Sequence, residues 1–261
     1  MTSGLKRILV TGGAKRVGRH LVERLSAAGH AVVIHANTNA AEAEELCARL
    51  RPSNPRVWAI KADLADHAAV CALVDQASQL VGAPLSALVN SASVFDYDAP
   101  GAMDISVFDR AMAVNLRAPA LLAERFAAQA DAAKDNCIVN LLDQKLWSMN
   151  PDFFSYTMSK AGLLAATDMM ARAFAPNVRV NAIAPGLLLP SFDQTPEEFD
   201  KVASANLMRR PIGLDAVASA LDFLLSNTAL TGQVIHVDNG QRFVTSPRDV
   251  MFEIRDPGAR R

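Results

Sequence analysis

Short runs of apolar, mostly β-branched residues alternate with alanine-rich helical stretches along the whole chain. The runs are continuous rather than alternating in polarity, which is typical of parallel strands buried on both faces. Parallel strands joined by helices need right-handed crossovers, which cover both faces of the sheet with helices. The segment order therefore predicts the α/β class, with a single-domain doubly wound parallel sheet. The predicted strands are 6–10, 31–35, 57–61, 85–90, 137–142, 178–183 and 234–237. The predicted helices are 16–28, 40–50, 66–81, 105–133, 154–174 and 214–225. Pro119 marks a bend or restart within the helix 105–133.

Composition bounds the classes of function that need to be considered. With 261 residues, 51% of them hydrophobic, the chain is long enough for one domain with a sizeable core. A net charge of −1 implies no basic face, so nucleic acid is not an expected partner. No apolar run resembles a signal peptide or is long enough to span a bilayer. Three widely spaced cysteines with no Cys-x-x-Cys pair indicate buried hydrophobes in a reducing compartment. We therefore expect a cytoplasmic protein without a metal or membrane partner.

A glycine-rich turn follows the first predicted strand and leads into the first predicted helix, over residues 11–18 with the sequence TGGAKRVG. Glycines allow the backbone to approach a pyrophosphate closely, and the N-terminus of the following helix offers unpaired N–H groups to it. The turn therefore predicts dinucleotide binding, and a tight turn without a ligand is the alternative. The candidate cofactor-binding residues of the turn are Thr11, Gly12, Lys15, Arg16, Val17 and Gly18.

The second strand distinguishes between the two nicotinamide dinucleotides. An acidic residue at the end of this strand is the usual partner of the ribose 2′-hydroxyl of NAD, but residues 35–39 read HANTN, without a carboxylate. Lys15 and Arg16 lie in the turn itself and could hold a 2′-phosphate. We therefore expect NADPH as the cofactor, with Asn37 and Thr38 beside it; the alternative is that the two cations are merely solvated. Asp63 and Leu64, after the third strand, are candidates for contacting the adenine, whereas Asp66 suits the N-cap of the next helix.

Tyr156 and Lys160 lie four residues apart in a predicted helix, so their side chains are one turn apart on the same face. A lysine held there favours the phenolate, and we expect it to lower the pKa of Tyr156 below its ordinary value of about 10. The result would be a proton donor usable near neutral pH. An ordinary amphipathic helix is the alternative interpretation of this pair.

Taken together, these segments resemble the short-chain dehydrogenase/reductase superfamily. The resemblance runs from Ile8 to about Phe243 and includes, in order, residues 11–18, 63–64, 90–93, Asn115, the Tyr156-x-x-x-Lys160 pair, 181–186 and 237–240. It implies one Rossmann-type domain over 1–261, with Tyr156 as the acid and Lys160 binding the nicotinamide ribose. It also implies that Asn115 holds a water linking Lys160 to solvent. Further cofactor contacts implied by the resemblance are Asn90, Ser91, Ala92, Pro185 and Gly186.

Two departures from the superfamily pattern are informative. Arg16 replaces the third glycine, and Asp143, thirteen residues before the tyrosine, replaces the usual catalytic serine. An ionised aspartate would repel the alkoxide that forms in ketone reduction, but it suits a substrate that bears N–H groups and accepts a proton on nitrogen. Asp143 could share a proton with Tyr156. Both departures are similar to pteridine reductases, including the dihydromonapterin type, and by that resemblance Phe95 stacks on the pterin while Ser93 contacts its polar edge. Simple loop packing is the alternative for Phe95.

These observations predict an NADPH-dependent reductase that converts a dihydropterin to the tetrahydro form. Two alternatives remain: an NADP-dependent reductase of 3-oxoacyl or other keto substrates, and a non-catalytic NADP(H)-binding regulator. The superfamily resemblance also implies a homo-oligomer, with dimer faces on helices around 115–130 and 154–173, and a tetramer made of two dimers. Segment 187–211 is irregular, follows a strand end and is a candidate lid. The tail 245–261 carries no motif, and its one expected role is to pack on a neighbouring subunit.

Overall fold

The computed structural model describes residues 4–191 and 194–255, so positions 192 and 193 of the candidate lid and 256–261 of the tail lie outside the described residues. In the described part, seven strands form one parallel sheet in the order β3-β2-β1-β4-β5-β6-β7. The strands are β1 Arg7–Thr11, β2 Ala31–Ala36, β3 Val57–Lys61, β4 Ala87–Asn90, β5 Asn136–Leu141, β6 Val178–Pro185 and β7 Val234–Val237. The sheet confirms the predicted fold class.

Helices cover both faces of the sheet. One buried apolar cluster joins the sheet to α1, α2 and α8, and a second joins it to α3, α5 and α6, which is the layering of a doubly wound fold. The helices of the described residues are α1 Arg16–Ala27, α2 Ala40–Leu50, α3 His67–Val81, α4 Ile105–Ala111, α5 Ala118–Gln129, α6 Phe154–Ala173, α7 Pro196–Ala203, α8 Leu214–Ser226 and α9 Val250–Arg255. None of them is both long enough and apolar enough to cross a membrane.

Strand order places the candidate site. β1 pairs with β2 on one side and with β4 on the other, so the chain reverses its winding direction between β1 and β4. Crevices of this kind open at the carboxyl ends of the strands and bind ligands. The glycine turn follows β1 and residues 91–95 follow β4, so both segments face this crevice.

The predicted helix 105–133 is divided in the structure. It consists of α4, a π-helical turn over Met112–Arg117, and α5, which ends at Gln129. Pro119 lies in the first turn of α5, where a missing N–H is tolerated. The predicted restart is therefore correct in position, whereas the π-helical turn and the earlier end were not predicted.

The candidate lid is less irregular than its sequence suggests. Residues 196–203 form α7, and Thr195 and Glu198 close a capping box at its start, with each side chain bonded to the other residue's backbone N–H. The described part of the tail also has structure, because it folds back onto the domain and ends in α9.

Candidate active site

A cleft of about 810 Å³ opens at the carboxyl ends of β1, β4, β5 and β6. The glycine turn and the end of β2 line one half, and residues 143–150, Tyr156 and the C-terminal segment, which we define as residues 245–252, line the other. The cleft therefore gathers the predicted cofactor and substrate residues in one place. The cofactor candidates that line it are Gly12, Lys15, Arg16, Val17, Gly18, Asn37, Thr38, Asp63, Leu64, Ser91, Ala92, Tyr156, Lys160, Pro185 and Gly186.

The glycine turn leaves no room for side chains at two positions. A Cβ on Gly12, whose φ is +65°, would lie 2.8 Å from the Ala92 Cα, and a Cβ on Gly18 would lie 2.2 Å from the Gly12 carbonyl oxygen. Thr11 fixes the turn to the loop after β4, because its hydroxyl accepts from the N–H groups of Ser91 at 3.0 Å and Ala92 at 3.1 Å. The turn is thus a closely packed cradle open to the cleft, which fits the pyrophosphate of a dinucleotide.

Arg16 adopts a left-handed conformation, with φ at +51°. Arg16 stands where the superfamily has its third glycine, which explains why a glycine is common there. Its guanidinium is exposed and donates to the Pro190 carbonyl at 2.9 Å, while the Lys15 ammonium pairs with Glu42 at 2.7 Å. Both cations line the end of the cleft at the glycine turn, and their contacts there are weak, solvent-screened ones.

His35, which the sequence analysis did not single out, holds the turn from below. Its Nδ1 accepts from the Gly12 N–H at 3.2 Å, and its Nε2 is 3.1 Å from the Ala62 carbonyl oxygen. Burial lowers the pKa of His35 to about 4, so the ring is neutral and can accept on one nitrogen while donating on the other. A single histidine at a strand end gave no signal of this role.

The adenine side follows the expected local structure. Asp63 is exposed and accepts from the Ala65 N–H at 2.9 Å, while Leu64 is buried in the cleft wall. Asp66 caps α3, because its side chain accepts from the N–H groups of Ala68 and Ala69, as predicted.

Asn90 lies at the end of β4, and its amide group donates to the Asn140 side chain at 2.8 Å. Its own carbonyl oxygen is buried without a hydrogen-bond partner. The structure therefore places Asn90 as a buried link between β4 and β5, just below the cleft.

The proton-transfer residues converge from β5 and α6. The Tyr156 hydroxyl donates to Asp143 Oδ2 at 2.7 Å, and Asp143 Oδ1 accepts from the Lys145 N–H at 2.8 Å. Lys160 is buried, donates to the Leu141 carbonyl at 2.7 Å, and has its ammonium 5.8 Å from the centre of the Tyr156 ring. The chain thus brings the carboxyl, the phenol and the ammonium together as predicted.

The expected effect of Lys160 on Tyr156 is wrong in direction. Burial, and then the neighbouring Asp143 carboxylate, raise the pKa of Tyr156 well above its ordinary value. Lys160 cannot reverse this, because its ammonium is bonded to a backbone carbonyl and burial lowers its own pKa to about 8. Burial also raises the pKa of Asp143. Without cofactor, the Asp143–Tyr156 pair therefore holds its proton firmly.

Asn115 lies in the π-helical turn and is fully buried. Its side chain accepts from the Val94 N–H at 2.8 Å and donates to the Val94 carbonyl at 3.0 Å and to the Ser159 hydroxyl at 3.1 Å. Asn115 therefore clamps the loop after β4 to the helix that carries Tyr156 and Lys160. The water-holding role remains a prediction.

The substrate side is aromatic. Phe95 stacks on Phe153 with ring centres 4.0 Å apart and contacts the Tyr156 ring edge-on at 4.6 Å. Phe153 is the N-cap residue of α6, with φ at +54°, and its side chain cannot accept a hydrogen bond from the helix, so Asp98 accepts from the Ser155 N–H at 2.9 Å instead. Phe95 is thus packed in its loop, as the alternative reading proposed, and it also borders the cleft. Ser93 is exposed in the same wall, and stacking on a pterin remains a prediction.

The C-terminal segment was missed as part of the site. Its residues line the substrate half of the cleft, and Met251 packs against Phe153 and Tyr156. Arg248 pairs with Asp152 at 2.8 Å. The described part of the tail therefore packs on its own domain.

Pro185 and Gly186, at the end of β6, complete the cleft where the resemblance expects the nicotinamide. The Gly186 N–H donates to the Val237 carbonyl at 3.0 Å, and the Leu187 N–H donates to the Gln241 side chain at 2.9 Å. These bonds fix the chain at the point where it leaves the sheet for the candidate lid.

Comparisons with known proteins agree with this geometry. A family model described as enoyl-(acyl carrier protein) reductase matches residues 12–242. NADPH-dependent aldehyde reductase 2 of Arabidopsis thaliana chloroplasts is 30% identical over 89% of this chain and 92% of its own length. The 3-oxoacyl-[acyl-carrier-protein] reductase FabG of Staphylococcus aureus strain Mu50 is 28% identical over 90% of this chain and 97% of its own. The chain belongs to the short-chain dehydrogenase/reductase family, as its motifs predict.

One solved structure is more similar in sequence than these relatives. It is the FolM alternative dihydrofolate reductase 1 from Brucella canis, complexed with NADP, with a TM-score of 0.88 and 40% identity. The match covers 95% of this chain and 98% of that one. The resemblance predicted from the motifs is therefore confirmed, since the chain is similar to a family member named as an alternative dihydrofolate reductase.

Proposed function

We propose that this protein, an NADP-dependent oxidoreductase of the short-chain family, reduces a dihydropterin to the tetrahydro form. The observation that carries the proposal is the hydrogen bond between the Tyr156 hydroxyl and Asp143 Oδ2 at 2.7 Å. A carboxyl at this position suits a substrate that takes its proton on nitrogen, whereas a developing alkoxide would be repelled by an ionised one. Similarity to the FolM reductase supports the same substrate class.

The residues present fit NADPH. The packed cradle of Gly12 and Gly18 suits its pyrophosphate, and Lys15 and Arg16 suit its 2′-phosphate, with Asn37 and Thr38 beside them. Pro185 and Gly186 suit the nicotinamide end. Bound NADPH supplies a hydride to a ring carbon of the substrate.

The chain's own residues supply the proton. Tyr156 gives its hydroxyl proton to the ring nitrogen next to the reduced carbon, so that a C=N bond becomes CH–NH. The resulting phenolate takes one proton from solvent through Asp143, so the pair returns to its starting state with one proton given and one recovered. Lys160 stabilises the transient phenolate and binds the nicotinamide ribose. Asn115 holds α6, which carries Tyr156 and Lys160, against the loop after β4.

The substrate would lie between the nicotinamide and Phe95. Phe153 stacks on the Phe95 ring with ring centres 4.0 Å apart, which holds that ring in place beside the cleft where a flat heteroaromatic molecule would bind. Ser93 would contact its polar edge. The exposed Met158 and Met169 on α6 agree with the expected dimer face, and we keep the homotetramer and the cytoplasmic location as predictions.

Reduction of carbonyl substrates is the second candidate. It is favoured by the raised pKa of Asp143, because a protonated carboxyl can donate to a carbonyl oxygen, and by the similarity to FabG and to the aldehyde reductase. The non-catalytic regulator is disfavoured because cofactor binding alone does not require the Asp143–Tyr156 pair.

The test is NADPH oxidation at 340 nm with dihydrobiopterin, dihydromonapterin, dihydrofolate and an acetoacetyl thioester. Turnover of a dihydropterin without turnover of the thioester supports the proposal. Turnover of the thioester alone would make carbonyl reduction the function. Asp143→Ser sharpens the assay, because it should lose pterin reduction and gain weak carbonyl reduction if the carboxyl selects the substrate.

A further inference from the structure

A buried ion pair in the substrate half of the cleft joins two distant parts of the chain. Lys145 is only 5% exposed, and its ammonium donates to Asp249 Oδ2 at 3.1 Å and to the Asn150 side chain. Asp249 belongs to the C-terminal segment, and its side chain is 17% exposed. A buried ammonium is costly unless it is paired, so the ion pair with Asp249 offsets part of the cost of burying Lys145 beside the cleft.

Lys145 is connected to the proton-transfer pair through its backbone. Its N–H donates to Asp143 Oδ1 at 2.8 Å, and Tyr156 occupies Oδ2. Within residues 4–191 and 194–252, Asp143 takes part in no ion pair, although Lys145 is two residues away. The ammonium of Lys145 is directed to Asp249 instead.

We propose that Asp249 is a positioning residue for the reaction: by holding the Lys145 ammonium, it limits the effect of that charge on the Asp143–Tyr156 pair and fixes the turn that carries Asp143. Three charged groups face the pair from the surrounding elements: Lys145 on the turn after β5, Lys160 on α6, and Asp249 on the C-terminal segment. Lys160 is already held by the Leu141 carbonyl. Asp249 therefore sets how strongly Lys145 acts on the pair.

The two members of the ion pair have opposite effects on the proton of Asp143. Loss of Asp249 leaves the positive charge of Lys145 uncompensated, which favours the ionised carboxylate, so the proton is released at lower pH. Loss of Lys145 leaves a negative Asp249 near the pair, so the proton is released at higher pH. Loss of both removes both charges, so the two shifts oppose each other.

The experiment is a carbon-13 NMR titration of aspartate side-chain carboxyls in the full-length protein, with the Asp143 signal assigned by its loss in Asp143→Asn. Relative to the wild type, we expect Asp249→Asn to lower the Asp143 midpoint by about half a pH unit or more, and Lys145→Met to raise it by a similar amount. The midpoint of the double variant should fall between those of the two single variants. Shifts in the same direction, or no shifts, would overturn the proposal.

Arg248→Met is the matched control. It breaks the ion pair with Asp152 and loosens the same segment, but it leaves Lys145 its partner. The Asp143 midpoint should therefore stay at the wild-type value. A shift as large as that of Asp249→Asn would assign the effect to segment mobility and overturn the charge argument.

The inference rests on the proposed function only in naming Tyr156 as the proton donor, and the titration needs no substrate. With any substrate that is turned over, the basic limb of the kcat/KM pH profile should move in the same directions as the midpoints. The expected midpoints without pterin turnover would remove the substrate assignment and keep the role of Asp249. Unchanged midpoints in an enzyme that reduces pterins would keep the substrate assignment and overturn the role of Asp249.

Discussion

Arg16→Gly separates the shape of the glycine turn from its charge. Arg16 has φ at +51°, a conformation that costs a non-glycine residue roughly 1–2 kcal/mol and costs glycine nothing. This gain is offset by the freedom that glycine adds to the unfolded chain, about 0.4–1 kcal/mol, and by the lost bond to the Pro190 carbonyl, about 0.5 kcal/mol at an exposed site. The free energy of unfolding should therefore change by less than about 1 kcal/mol.

The effect on cofactor binding should be much larger. A charge-assisted hydrogen bond to a 2′-phosphate contributes about 1.5–3 kcal/mol, which is roughly 10- to 150-fold in the Kd for NADPH. NADH has no 2′-phosphate, so its Kd should change by less than about twofold, since the charge-assisted bond is not made. The assay is a fluorescence titration of both cofactors, with urea unfolding of the same preparations.

A matched control lies on the same helix. Arg19 is another exposed cation, whose guanidinium pairs with Glu23 at 3.0 Å, and Arg19→Ala should leave both Kd values unchanged. A Kd for NADPH within about twofold of the wild type in Arg16→Gly would refute the 2′-phosphate assignment, because the bond it removes should contribute more than that. An equal loss for NADPH and NADH would show that the backbone shape of the turn had changed instead.

Three other perturbations probe the rest of the site. Asp143→Ala and Tyr156→Phe should each lower kcat by about 10²- to 10⁴-fold, with the Kd for NADPH nearly unchanged; near-wild-type turnover in either would contradict the assigned roles. Gly18→Ala places a Cβ 2.2 Å from a carbonyl oxygen of the turn and should weaken NADPH binding more than tenfold by fluorescence titration, whereas Gly213→Ala, with nothing within 4 Å, should not. Burial lowers the pKa of Lys160 to about 8, so the cost of burying its ammonium is present below pH 8 and disappears as the pH rises toward its unfolded value. Urea unfolding of the cofactor-free protein should therefore show stability rising by about 1–3 kcal/mol relative to Lys160→Met between pH 8 and 10, and parallel curves would contradict this.

The sheet could be predicted because each strand carries its own signal. All seven predicted strands form, since a continuous apolar run between turn residues is a local pattern that burial on both faces requires. Helix α7 was missed although its capping box is readable as Thr195, Pro196 and Glu198, a signal that the irregular composition of the lid obscured. The π-helical turn at 112–117 has no comparable local signal, because it depends on how Asn115 is bonded by a distant loop.

The sequence predicted which residues form the site, but not the hydrogen-bond partners of their charged groups or the direction in which their pKa values shift. Spacing places Lys160 near Tyr156, but it says nothing of the Leu141 carbonyl that takes the ammonium, nor of the burial that raises the pKa of the phenol. The Lys145–Asp249 contact joins residues 104 positions apart, so no periodicity could have indicated it. Residues of the site that are set by tertiary contacts were therefore invisible in the sequence, whereas those set by local motifs were found.

These contacts explain how an aspartate can stand where the family has a serine. Each ammonium near Asp143 has another oxygen partner, the Leu141 carbonyl for Lys160 and Asp249 for Lys145, so neither forms an ion pair with the carboxyl. Burial of a carboxyl without an ion-pair partner raises the pKa of Asp143, and its hydrogen bond with Tyr156 contains the proton that is given to the substrate. On the role proposed for Asp249, a family member with the aspartate but without such a partner for the lysine should hold this proton less firmly.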